Sequence, residues 1–145
     1  MQTESVRAIL LLGHGSRAPK ANVAIRKVAE HLRLREEYPI VEVAFLQLSP
    51  PSIEEGMATC VSQGATSVLM LPYFLHFGLH VQEDLPSVVD TLRGRYPGVE
   101  ITLGHHIGFH PKLVEIVVER VQESERESER ESEEREEIAS LKAGR

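Results

Sequence analysis

The sequence has one cysteine, no tryptophan and only seven other aromatic residues. A lone Cys60 excludes an internal disulfide and a thiolate-based zinc site, which leaves it as a small buried apolar side chain. No segment approaches the roughly 20 consecutive apolar residues that span a bilayer, so no membrane partner is expected. The opening Met1-Gln-Thr-Glu-Ser5 lacks the basic and then apolar run of a secretory signal, and the expected location is cytoplasmic. Positive charge is also scarce: 16 Lys and Arg stand against 22 Asp and Glu, with no basic stripe to neutralise phosphates. Nucleic acid is therefore not expected as a partner.

Several catalytic signatures are missing as well. Gly13-His-Gly15 lacks the third glycine of a dinucleotide-binding fingerprint, and no Gly-Lys-Ser/Thr closes a phosphate loop. Ser16 is followed by Arg17 and Ala18, which rules out the Gly-x-Ser-x-Gly nucleophile elbow.

What is present is an alternation. Four apolar runs of strand length begin at Val6, Ile40, Ser67 and Val99. The first (Val6–Leu12) and third (Ser67–Leu71) are nearly all apolar, as strands covered on both faces are. Between and after them lie helical patterns. Ala21, Ile25, Val28 and Leu32 share a face, as do Ile53, Met57, Cys60 and Val61. Leu85, Val88, Val89 and Leu92 repeat the helical spacing, and so do Val114, Val117, Val118 and Val121. Pro51 and Pro111 suit first-turn positions. This βαβαβαβα order predicts an α/β fold: a four-stranded parallel sheet, order 2-1-3-4, doubly wound like a flavodoxin with helices on both faces.

Charge divides the chain. Residues 1–122 carry 11 basic and 13 acidic side chains, whereas residues 123–145 carry 5 and 9. The expected organisation is one α/β domain over 1–122 and an acidic Glu/Ser/Arg-rich tail over 123–145. The tail, without an apolar stripe, is a frayed helical extension or disordered.

Open α/β sheets bind ligands beyond the carboxyl ends of their strands, where strand order reverses. Here that point lies between the first and third strands. The first is followed by Gly13-His14-Gly15-Ser16-Arg17, and the third by a segment from Pro72 to Pro86 that carries His76, His80, Glu83 and Asp84. His105, His106 and His110 follow the fourth strand to the same edge, while His31 is surface on the first helix. A site of two or three imidazoles with few carboxylates suits a divalent transition metal, not magnesium or calcium. By position His14 and His80 are the leading pair, and Glu83 or Asp84 can orient His80 or accept protons.

Leu10-Leu-Leu-Gly-His14-Gly-Ser-Arg17, Pro72-Tyr-Phe-Leu75, Gly78-Leu-His80-Val-Gln-Glu-Asp84-Leu-Pro86 and His106-Ile-Gly-Phe-His110-Pro together resemble the short form of the CbiX-type sirohydrochlorin chelatases. The resemblance covers about residues 6–122. It implies a class II chelatase that inserts a divalent metal into sirohydrochlorin without ATP, with cobalt foremost and iron or nickel in related members. It also implies a homodimer. His14 and His80 correspond to the family's metal-site histidines. Gln47, in Phe45-Leu-Gln47-Leu48, stands where longer relatives carry a glutamate.

The chemistry of the residues suits that reaction. A tetrapyrrole loses two pyrrole protons as it takes up the ion, and an imidazole can hold the ion and then accept a proton. Ser16, Arg17 and Lys20 can anchor the carboxylates at the ring's rim, and Tyr73, Phe74, Phe77 and Phe109 its face. Glu83 is the nearby acceptor. The alternative is a non-catalytic carrier that binds a metal or tetrapyrrole through the same histidines.

Overall fold

The alternation of apolar runs and amphipathic segments becomes β1 (Arg7–Gly13), α1 (Val23–Arg33), β2 (Ile40–Phe45), α2 (Ile53–Ser62), β3 (Ser67–Pro72), α3 (Leu79–Arg95), β4 (Glu100–Leu103) and α4 (Pro111–Ala143). The computed structural model describes residues 4–144 except positions 19 and 77. The chain forms two units, Met1–Gly108 and Phe109–Arg145. All strands pair in parallel in the order β2-β1-β3-β4, as the alternation predicts.

Successive side chains of β1 point to opposite faces, so each face receives its own helices. Leu10 and Leu12 join Ala44, Met57, Met70, Leu85, Val89 and Leu92 beneath α2 and α3. Leu11 joins Ile25, Ala29, Val41, Val43 and Phe45 beneath α1. Leu10 and Leu12 are fully buried, each worth about 1.5–3 kcal/mol over an exposed position. Gly56 lets α2 approach closely: a Cβ there would stand 2.8 Å from the Ala44 Cβ and 2.9 Å from the Leu10 Cδ1.

The helix starts differ from expectation in instructive ways. Ser52 caps α2: its hydroxyl accepts from the Glu55 N–H at 3.2 Å and lies 3.2 Å from the Glu55 Oε1, to which it can donate. Pro51 therefore precedes the cap and is not in the first turn. Helix α3 begins at Leu79, six residues before the helical spacing that starts at Leu85, so His80, Glu83 and Asp84 lie on the helix. Pro86 lies inside it and leaves one backbone carbonyl without its helical donor. Burial of Leu85, Val89 and Leu92 offsets that loss and extends the helix back through His80.

The second unit is one 33-residue helix. Pro111 takes the first position, and the His110 imidazole Nδ1 accepts from the Lys112 N–H at 3.1 Å, capping the helix. The expected boundary at 122/123 falls inside α4. None of its residues is buried, and the stripe Val114, Val117, Val118 and Val121 is exposed along it. The Arg120–Glu123 ion pair at 3.0 Å stands three residues apart at the start of the Glu/Ser/Arg repeat, a spacing that supports a helix. Among the described residues no helix is long and apolar enough to cross a membrane.

Candidate functional site

The carboxyl ends of β1 and β3 are neighbours, and the loop after β1 and the start of α3 after β3 each bring one imidazole to the same cavity. Behind β1, the chain is locked to the loop behind β2. Gly13 C=O accepts from Leu46 N–H at 3.0 Å, and His14 C=O accepts from Gln47 N–H at 3.2 Å. Between them Gly15 adopts φ +88°, and any Cβ there would overlap the Gln47 carbonyl oxygen. Glycine is obligatory at this point.

Ser49 completes the lock. Its hydroxyl donates to the Ser16 carbonyl at 2.6 Å and accepts from the Ser16 N–H at 3.0 Å and the Asn22 Nδ2 at 2.9 Å. The His14 ring is oriented in turn from the β3 side: it stacks on Phe74 with centroids 4.0 Å apart and planes 30° from parallel. Phe74 is itself buried, so the stack rests on a fixed base.

His14 and His80 line one cavity of about 390 Å³. His80 is the second residue of α3, and Asp84 follows one turn later on the same face. The polar lining is His14, Gln47, His80 and Asp84, over a floor of Leu46, Ile53, Val81, Leu85 and Val88. Among the described residues, no three of His, Cys, Asp and Glu stand close enough to hold one ion between them. Two imidazoles thus line the cavity, with Asp84 in the same lining but not forming a three-residue ion cage with them.

The remaining candidates fall in different places. Ser16 is half-buried with its backbone held by Ser49, and its hydroxyl accepts from the Ala18 N–H at 3.1 Å. Arg17 and Lys20 follow on the same loop, both exposed and outside every ion pair among the described residues. Phe77 lies outside the described residues. Glu83 is exposed and does not line the cavity; Asp84, one residue on, does. His76 is exposed on the loop before α3 and is likewise absent from the lining. His105 and His106 line a neighbouring cavity of about 410 Å³ that shares Val81 and Leu85. His110 is the α4 cap, and His31 is exposed on α1 as expected.

Sequence reasoning missed Ser49 and Asn22. Both look like ordinary turn and helix-start residues, and nothing local ties Ser49 to positions 27 and 33 residues away. Leu46, just after β2, and Ile53, at the start of α2, are apolar positions with no local mark of a site, and both form part of the cavity floor.

Comparison with known proteins bears on the same region. The CbiX family model matches residues 8–124. The chain is 37% identical over 111 residues to the sirohydrochlorin ferrochelatase of Bacillus subtilis, covering 77% of this chain and 42% of that protein. It is 36% identical over 110 residues to the sirohydrochlorin cobaltochelatase of Priestia megaterium, covering 76% and 36%. The chain thus spans less than half the length of these two relatives. Among solved structures, the sirohydrochlorin chelatase SirB of Bacillus subtilis subspecies spizizenii in complex with cobalt superposes with a TM-score of 0.73 at 35% identity. That match covers 81% of this chain and 50% of SirB.

Proposed function

This chain belongs to the CbiX family, and from that premise we propose that it inserts a divalent metal ion, foremost cobalt, into sirohydrochlorin. One observation carries the reading: His14, on the loop after β1, and His80, in the first turn of α3, lie 66 residues apart in sequence and line one open cavity with an apolar floor. Relatives bearing both ferrochelatase and cobaltochelatase names support the ring as substrate and leave the ion to be decided by experiment.

The ion is a substrate, held first by the two imidazoles and by water. The flat ring lies over Ile53, Val81 and Leu85, with Arg17 and Lys20 pairing with its peripheral carboxylates and Ser16 beside them. As each pyrrole nitrogen loses its proton it takes up the ion, and a released imidazole accepts a proton. Two protons leave the ring for one divalent ion gained, so the exchange balances without ATP. A site with few fixed ligands suits this step, because an ion enclosed by four protein ligands is not given up.

We also propose a homodimer. A single cavity wall covers one face of a planar ring, and largely buried ligands need both faces covered. A second copy of this chain, its cavity facing the first, would supply the other wall.

The test is multiple-turnover metallation of sirohydrochlorin by the purified protein, without ATP, followed through the ring's visible absorption. Cobalt, ferrous iron and nickel are supplied singly and in competition. Many turnovers per protein, fastest with cobalt, are expected. A single stoichiometric binding event would replace the enzyme reading by the carrier reading.

A further inference from the structure

Asp84 is the one charged carboxylate in the cavity lining, where its companions are two imidazoles, an amide and five apolar side chains. It is exposed at the cavity's edge and so remains accessible to a hydrated ion. It makes no ion pair or side-chain hydrogen bond among the described residues. Helix α3 begins at Leu79, so Asp84 lies in the second turn, beyond the first-turn range in which a carboxylate gains from the helix dipole. Glu83 is exposed as well, but of the two neighbouring carboxylates only Asp84 lines the cavity.

The same geometry shows what Asp84 does not do. It does not stand with His14 and His80 as a three-residue ion cage. A hydrated ion held by two imidazoles keeps several waters, and a carboxylate one helical turn from His80 is placed to accept hydrogen bonds from them.

We propose that Asp84 captures the hydrated metal through its bound water and so sets the protein's affinity for the incoming ion, while taking no part in holding the ring. This rests on the metal-insertion reading. The division of labour follows from charge. Arg17 and Lys20 attract the ring's carboxylates at the rim of the loop behind β1, whereas Asp84 attracts the dication and repels those carboxylates. The ring is thereby kept away from the α3 wall until the ion has entered. Contact through water also leaves the ion free to depart, which direct carboxylate ligation would oppose.

The experiment uses the full chain with Asp84→Asn and Asp84→Glu. Cobalt binding is measured by calorimetry without the ring, and KM is measured separately for cobalt and for sirohydrochlorin. Outer-shell partners of metal ligands are generally worth about 10–100-fold in affinity. Asp84→Asn is therefore expected to weaken cobalt binding and raise the KM for cobalt by about ten-fold or more. The KM for the ring should be unchanged or lower, and Asp84→Glu should recover most of the loss. Cobalt affinity within two-fold of the original, or a rise in the ring's KM alone, overturns the proposal. A protein that binds cobalt but never metallates the ring overturns the function reading instead, and the calorimetric arm still decides the role of Asp84.

Discussion

Replacing Gly15 by alanine tests the idea that the histidine-bearing loop is held by backbone alone. At φ +88° an L-residue carries about 1–2 kcal/mol of strain before any contact is considered. The added Cβ would also overlap the Gln47 carbonyl oxygen and stand 2.9 Å from its carbon and 3.3 Å from the Phe45 Cβ. These are backbone and strand atoms that cannot rotate aside. Relief requires the β1 and β2 loops to part, which removes the Gly13–Leu46 and His14–Gln47 hydrogen bonds, each worth about 0.5–1.5 kcal/mol net. Together these amount to about 2–5 kcal/mol, a large fraction of an ordinary domain's stability. In urea, with slopes of about 1–3 kcal/mol per molar, the midpoint should fall by about 1–2 M. Metal insertion should fall with it, since His14 moves with its backbone. Gly94→Ala is the control: nothing lies within 4 Å of its Cβ position and it is helical, so stability should rise slightly. A Gly15→Ala protein with an unshifted midpoint and normal turnover would refute the reasoning.

His14→Ala and His80→Ala should each abolish most turnover, and the double variant should lose little more, because groups acting as a unit are strongly non-additive; His31→Ala should be silent, and near-normal rates in either single variant would count against the site. Ser49→Ala removes three hydrogen bonds and should cost about 1.5–4 kcal/mol by urea unfolding; a shift below 0.5 kcal/mol (~0.5 is the scale of ordinary surface changes) would show the lock to be redundant. Burial pushes the Cys60 thiol up to about 12, so the unfolded chain ionises first and stability should decline from about pH 9 towards 12. At pH 8 a maleimide should label Cys60 only on unfolding, and rapid labelling of the native protein would contradict its burial. Deleting residues 124–145 should leave the melting temperature and turnover nearly intact, since no residue of α4 is buried; an unfolded or inactive product would show the segment to be structural.

The fold was legible because its determinants are local. Runs such as Leu10–Leu12 can be satisfied only by cover on two sides, and one strand followed by one helix, four times over, leaves few topologies. His14 and His80 were legible as a pair because strand order alone makes their loops adjacent. What escaped depends on phase and on distance along the chain. Helix α3 starts at Leu79, seven residues before Pro86, and that start fixes which of Glu83 and Asp84 turns towards His80. Proline at 86 hid the start, because its local preference argues against a helix that buried leucine and valine side chains nevertheless support. Ser49 escaped for another reason: a hydroxyl joining Ser16 and Asn22 has meaning only once two loops have been folded together. The valine stripe of α4 has the right period for burial yet is exposed throughout the helix, so periodicity alone does not tell where an apolar face goes.

The close approach of α2 to the sheet at Gly56 has a bearing on how this protein can change under selection. Ile53, one helical turn before Gly56, forms part of the floor under His14 and His80, so the depth of the cavity depends on how near α2 lies to Ala44 and Leu10. A methyl group at position 56 would push the helix outward and lift that floor without touching any polar group. On the proposed function, the space open to a ring would thereby be set from a buried position that lies outside the cavity lining. A laboratory lineage selected on an altered tetrapyrrole should acquire changes at Gly56, or compensating reductions at Leu10, before it alters either histidine.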